Sequence, residues 1–204
     1  YWDVIFLRMF DMTNDANHFL QNISHDKNYL RLYEAKMIDF YDHRFASTKN
    51  PTMGQKLRGK SEKTILERYC NPYYLVDSRY HVPISEVKNR RKVKIQKWCL
   101  GIRAMAGAVA NVRTLCATVL PYCGAGNSIL MVEVLNPRNP KLQTCLLANI
   151  NSYICDYLLR QKISGTNLNQ FILKQLPIIP PKRYDLIIMN WIFQHVISLV
   201  YTAY

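Results

Sequence analysis

At 204 residues, with 49% hydrophobic and 20% charged residues, the chain is long enough for a globular domain with a substantial core, which excludes wholesale disorder. Twenty-seven Lys and Arg against fourteen Asp and Glu leave a net charge of +13, a field that attracts polyanions and points to nucleic acid or an anionic membrane surface. Six cysteines, at 70, 99, 116, 123, 145 and 155, include no Cys-x-x-Cys pair, so they read as buried reduced thiols of a cytoplasmic protein rather than a zinc site or a disulfide framework.

The first residues carry no basic stretch followed by an apolar core, which leaves secretion without support. Residues 1–28 open apolar at Val4-Ile-Phe-Leu7, turn polar around Asn14, and read as an arm leading from an upstream domain. Residues 29–45 mix Tyr, Leu, Ile and Phe with charge, which predicts one or two half-buried strands. Between 47 and 68, Lys49, Lys56, Arg58, Lys60, Lys63 and Arg68 lie among Ser, Thr, Gly, Asn and Pro, the composition of a mobile basic loop. Tyr73-Tyr-Leu-Val76 reads as a short strand, and Pro83-Ile-Ser-Glu-Val87 opens a helix with proline near its first turn.

Residues 98–103, 112–120 and 129–134 are apolar runs with the character of strands, the last entered through Gly124-Ala-Gly126. Their connections are too short for helical crossovers, so the sheet is expected to be mainly antiparallel. Leu142, Leu146, Leu147, Ile150, Ile154, Tyr157 and Leu158 recur at helical spacing and predict one helix over 142–162, stopped by Gly165. Residues 165–181 begin as a polar, turn-prone loop, become an apolar run suited to a last strand, and end at Pro180-Pro181. In the final segment Asn190, Gln194, Ser198 and Thr202 fall four apart, so it reads as an amphipathic helix docked on protein and not a membrane span. The expected fold is therefore α+β: a twisted, mainly antiparallel sheet with packed helices over 29–182, followed by a C-terminal amphipathic helix over 183–204.

No complete active site is legible. Asn71-Pro-Tyr-Tyr74 has Tyr73 where adenine methyltransferases carry a second proline, and it reads best as a turn before a strand. Glu34-Ala-Lys36, preceded by Asp11 and Asp15, has the residue types of a metal-dependent nuclease, in which carboxylates hold Mg²⁺ and lysine orients water. A surface Glu–Lys pair is the alternative. Asp42-His43-Arg44 lacks a nucleophile at an interpretable spacing and suits a turn or a phosphate contact. No glycine-rich cofactor loop and no metal-ligand spacing is present.

Nucleic-acid chemistry is better represented. Lys88, Arg90, Arg91, Lys92, Lys94 and Lys97 put six basic residues into ten, enough to neutralise phosphates and release counterions. Lys36, Arg44, Arg103, Lys162 and Lys174 add cations in more structured settings. Thr166, Asn167, Asn169 and Gln170 form a polar loop whose amides are suited to reading adenine edges, although capping a turn is the commoner task for Asn there.

The loop also carries a resemblance. Arg160-Gln-Lys-Ile-Ser-Gly-Thr-Asn-Leu-Asn169, followed by Ile172-Leu-Lys-Gln-Leu-Pro-Ile178 and Pro180-Pro181, is similar to the closing segment of DNA target recognition domains. These belong to type I specificity subunits and to restriction–modification adenine-N6 methyltransferases. Further blocks keep the order of such proteins: Arg8-Met-Phe-Asp-Met-Thr-Asn-Asp15, Leu32-Tyr-Glu-Ala-Lys-Met-Ile38, Tyr41-Asp-His-Arg-Phe-Ala46, Arg79-Tyr-His-Val-Pro83, Lys97-Trp-Cys-Leu-Gly-Ile-Arg103 and Asn151-Ser-Tyr-Ile-Cys-Asp-Tyr157. The resemblance implies a partner of double-stranded DNA and a catalytic methyltransferase domain in the same polypeptide. It also implies S-adenosylmethionine for that upstream domain and no cofactor in this chain, which lacks the cofactor and target-base motifs. The alternatives are a nuclease fragment built on Glu34 and Lys36, or a protein-docking module without DNA contact.

Overall fold

The central sheet has the strand order β1–β9–β6–β7, comprising β1 (Val4–Leu7), β6 (Trp98–Arg103), β7 (Ala117–Pro121) and β9 (Ile129–Val134), with every neighbouring pair antiparallel. It comes from a computed structural model that describes residues 1–23, 26–49, 52–54, 61–94, 96–105, 112–135 and 139–201. Successive residues of a strand face opposite sides, and here both sides are covered, which explains near-continuous apolar runs without alternation. Leu100, Ile102, Leu130, Val132 and Val134 enter one core, whereas Cys99, Ile129 and Met131 enter the other.

Helices cover the first face. Leu146, Leu147 and Ile150 of α3 (Pro140–Ile150), Cys155 and Leu159 of α4 (Tyr153–Lys162), and Val196 and Val200 of α6 (Leu186–Val200) pack there. The second face is covered by a smaller sheet of order β5–β2–β8, built from β2 (Tyr29–Tyr33), β5 (His81–Pro83) and β8 (Gly124–Ala125). Strand β2 runs antiparallel to β5 and parallel to β8. A two-stranded ribbon of β3 (Ala46–Ser47) and β4 (Glu62–Lys63), helices α1 (Leu66–Cys70), α2 (Ile84–Arg90) and α5 (Gln170–Leu173), and short 3-10 turns at Ala16–His18, Ala35–Met37 and Pro181–Arg183 accompany these sheets. The fold is thus α+β with mainly antiparallel sheets and a C-terminal helix, as expected.

Local expectations fail where tertiary contacts outweigh local pattern. Residues 1–28 do not stand apart as an arm: Val4–Leu7 pairs with β9 as an edge strand, and Trp2 Nε1 donates to the Ile179 carbonyl at 2.8 Å. The helix expected over 142–162 is two helices, broken at Asn151. The Asn151 side chain leaves the helical path to bond both backbone groups of Ala117, and Ser152 caps α4 by accepting from Cys155 N. Helix α4 ends at Lys162, ahead of Gly165. Residues 73–76 form no strand, because the Asn71 and Tyr74 carbonyls go to Arg44 Nη1. The apolar run after the 166–170 loop forms the single turn α5 and an extended tail rather than a strand.

In the 47–68 segment the described residues include β4 and the start of α1, while Lys56, Arg58 and Lys60 lie outside the described residues. On α6, Asn190, Gln194 and Ser198 are exposed and Met189, Val196 and Val200 are buried, but Leu186, Ile187, Trp191 and Leu199 are exposed as well, so the outer side is not purely polar. Thr202 lies outside the described residues. No helix among the described residues is long and apolar enough to cross a membrane.

One ion pair joins these layers. Glu133 on β9 is fully buried and accepts from Arg91 Nε at 2.7 Å and from the backbone N–H groups of Lys92 and Val93 at 2.9 and 3.1 Å. Arg91 spends its remaining donors on the carbonyls of Gln96 and Trp98. Removing one partner strands the other charge in the core, so Arg91→Ala or Glu133→Ala is expected to cost about 3–5 kcal/mol. Urea unfolding monitored by tryptophan fluorescence checks this; a change below about 1 kcal/mol, the scale of an exposed pair, contradicts it.

Candidate nucleic-acid interface

The antiparallel order brings the C-terminal end of β6 and the N-terminal ends of β7 and β9 together, so Arg103, Cys116 and Ser128 share one end of the central sheet. The 163–170 loop docks on this end through its buried Leu168. Leu168 N donates to the Ala104 carbonyl at 2.7 Å, and the Leu168 carbonyl accepts from Arg8 Nη2 at 3.3 Å. With Leu168 pinned and Asn167 bridged to Met105, the side chains of Thr166, Asn167, Asn169 and Gln170 remain in solvent on a fixed backbone. Asn169 also does the capping job: its Oδ1 accepts from Ile172 N and starts α5. Its amide N–H groups are left for other partners.

Cations flank this loop. Arg103 is half-buried, donates to the Arg113 carbonyl at 3.4 Å, and lies 3.9 Å from the Asp39 carboxylate. Lys36 is exposed and pairs with Glu34 at 3.1 Å on a turn whose Ala35 N–H donates to Ser128 Oγ. Lys162 ends α4 immediately before the loop and donates to Gln175 Oε1. Lys174 stands apart from them, lining a cleft of about 490 Å³ with Trp2, Phe6, Leu146 and Pro177.

Sequence reasoning missed what makes this end rigid. Asp156 is buried on α4 and accepts from the N–H groups of Thr114 and Leu115 at 2.8 and 2.6 Å, while Asn151 holds Ala117. The Arg113 guanidinium lies 4.5 Å from the Phe40 ring centroid and 4.6 Å from that of Tyr153, with Nη2 donating to the Asn151 carbonyl. One signal was available: Asn151-Ser152 interrupts a helical repeat with two residues that favour caps.

The basic stretch sits at the opposite end. Lys97 precedes Trp98, and β6 spans about 17 Å between Trp98 and Arg103 at roughly 3.4 Å per residue. Lys92, Lys94 and Lys97 are exposed there. Two expected phosphate contacts turn inward. Arg91 is buried against Glu133, and Arg90 forks onto Asp15 at 2.8 and 2.9 Å, donates to the Met9 carbonyl and stacks on Phe10. Arg44 is also withdrawn, being 1% exposed with its guanidinium on the carbonyls of Tyr69, Asn71 and Tyr74. The reason is common to all three: irregular backbone that must be buried needs donors, and arginine offers five.

The other constellations resolve into structure. The Arg90 guanidinium holds the Asp15 carboxyl below its ordinary range, and Asp11 caps the turn at Thr13 and Asn14. Among the described residues, no three His, Cys, Asp or Glu side chains gather in one place. Asn71 accepts from Tyr73 N within its own turn. Asp42 accepts from the Tyr69 hydroxyl, and His43 is buried beside it. Desolvation pushes the His43 imidazole down to about 4.

That shift fixes a pH dependence. Between the unfolded value near 6.5 and the folded one, the unfolded chain binds a proton that the fold refuses, so stability present at pH 7 is lost as pH falls through this window. From pH 7 to pH 4 the wild-type chain should lose up to about 3 kcal/mol more than His43→Gln, read from urea midpoints. Parallel losses in the two proteins remove the assignment.

No family model and no curated protein sequence matches the chain.

Proposed function

We infer that the chain is the target recognition region of a restriction–modification adenine-N6 DNA methyltransferase. It grips duplex DNA in the cytoplasm so that a separate catalytic domain of the same polypeptide, using S-adenosylmethionine, methylates an adenine. The observation that carries this reading is the 163–170 loop. The segment with the resemblance is anchored through buried Leu168 while its Thr, Asn and Gln side chains face solvent. A reader of base edges needs that combination, because bidentate contacts to adenine tolerate little angular freedom. The net charge of +13 supports the same reading by favouring encounter with a polyanion.

The geometry also suggests a division of labour. Side chains of the 166–170 loop supply base contacts, while Lys92, Lys94 and Lys97 at the far end of the sheet supply phosphate contacts that carry no sequence information.

Two sets of variants separate these roles. Replacing Asn167 and Gln170 with Ala should flatten the preference for the selected site by about 1–3 kcal/mol for each base no longer read, and leave the salt slope unchanged. Reversing Lys92, Lys94 and Lys97 to Glu should weaken binding to all duplexes and reduce the slope of log K against log salt by about 0.9 for each phosphate no longer neutralised. Site selection from randomised duplexes, followed by fluorescence anisotropy at several salt concentrations, measures both. Absence of duplex binding at low salt, or indifference to both sets, overturns the proposal.

A further inference from the structure

Strand β2 presents Tyr29, Arg31 and Tyr33 on one face, because alternate residues of a strand point the same way. The antiparallel register with β5 sets Arg31 directly opposite His81. These side chains border a cavity of about 300 Å³ that Lys49 and Tyr122 also line. The volume lies at the small end of the range for ligand pockets.

Two polar atoms here are buried without a hydrogen-bond partner: the Tyr33 hydroxyl, on a residue 1% exposed, and His81 Nδ1. Such orphans are rare in a fold and call for a partner. Arg31 and Lys49 have no ion-pair partner among the described residues, in contrast to Arg90, Arg91 and Arg103. The cavity is lined by three cations, Lys27, Arg31 and Lys49, against two carboxylates, Asp26 and Asp77, leaving an excess of one positive charge. Burial, with Arg31 and Lys49 nearby, lowers the His81 pKa and keeps the ring neutral at pH 7, a donor at one nitrogen and an acceptor at the other.

We propose that this cavity binds a phosphate monoester, with the phosphate between Arg31 and Lys49 and the remainder of the ester against Tyr29 and Tyr122. Phosphate fits this donor set better than a carboxylate does. A guanidinium fork, an ammonium, a phenol and an imidazole N–H together outnumber the two oxygens of a carboxylate and suit the several oxygens of a phosphate. The site is distinct from the reading loop. Pro121, which lines the cavity, pairs with Trp98 at the end of the central sheet away from Arg103. The proposal therefore does not rest on base recognition at the 166–170 loop.

Titration calorimetry on the full chain tests this with inorganic phosphate, adenosine 5′-monophosphate, adenosine and a short duplex lacking terminal phosphates. Phosphate and the monophosphate should bind, and adenosine should not. Arg31→Met should weaken the monophosphate by about tenfold or more, the scale of one charge-assisted hydrogen bond removed. Tyr33→Phe keeps the packed ring and removes only the hydroxyl, so a weakening in that variant with an unchanged urea midpoint cannot arise from unfolding. Equal binding by wild type, Arg31→Met and Tyr33→Phe overturns the proposal, as does failure of both phosphate and monophosphate to bind. If only the duplex binds and only its affinity falls in Arg31→Met, the small-ester assignment is overturned and the cavity is a contact for a DNA phosphodiester.

Discussion

The buried Arg91–Glu133 pair is the constraint to which the two-faced architecture is tied. Glu133 stands on β9 among strands buried on both sides, a position where an unpaired carboxylate is prohibitively costly. Its two oxygens are satisfied by one guanidinium and two backbone N–H groups, so Arg91, Lys92 and Val93, which belong to no helix or strand, are stitched to the middle of the sheet, and Arg91 reaches on to the carbonyls of Gln96 and Trp98. That stitching fixes where β6 begins, and hence which residues of β6 face each core. A pair of this kind adds little net stability over an apolar replacement, yet the loss of either partner alone is costly.

The same device recurs at the other end. Asn151 and Asp156 are buried polar side chains whose partners are backbone groups of residues 114–117. Thr114 and Leu115, which precede β7, are held in the core because Asp156 of α4 accepts from their N–H groups. Loop 163–170 then inherits a rigid foundation: Ala104 and Met105 continue from β6, and Leu168 bonds to Ala104. Rigidity beneath an exposed polar loop lowers the entropy lost when that loop engages another molecule.

Strands β6 and β9 were legible as apolar runs of the correct length, whereas the run over 112–120 yields a strand only from Ala117 to Pro121, because the N–H groups of Thr114 and Leu115 go to Asp156 instead of a neighbouring strand. Helix α2 was legible from Pro83, and the polar stripe of α6 from spacing four. The break at Asn151 was signalled only by the cap-favouring pair Asn151-Ser152, because the repeat of Leu142, Leu146 and Ile150 continues through Ile154 and Leu158, and the distant Ala117 is what gives the break its reason. Strand β1 was obscured for a related cause: its partner lies more than a hundred residues away, and four apolar residues carry no signal of pairing. For the candidate interface, the polar loop was readable from composition. The inward turn of Arg44 and Arg91 was not, since sequence gives charge but not the carbonyls that a charge will meet.

The pairing of β1 with β9 has a consequence for biosynthesis. Strands β6, β7 and β9 pair within a short stretch of chain and can assemble as soon as Val134 has left the ribosome, whereas Val4–Leu7 must wait, unpaired and apolar, until that moment. The bond from Trp2 to Ile179 closes later still. A nascent chain lengthens by about 5–20 residues per second, so Val4–Leu7 has seconds in which to close the β9 edge before the last helices are made. The molecule therefore emerges with the strand that seals its open sheet edge already waiting on the same nascent chain.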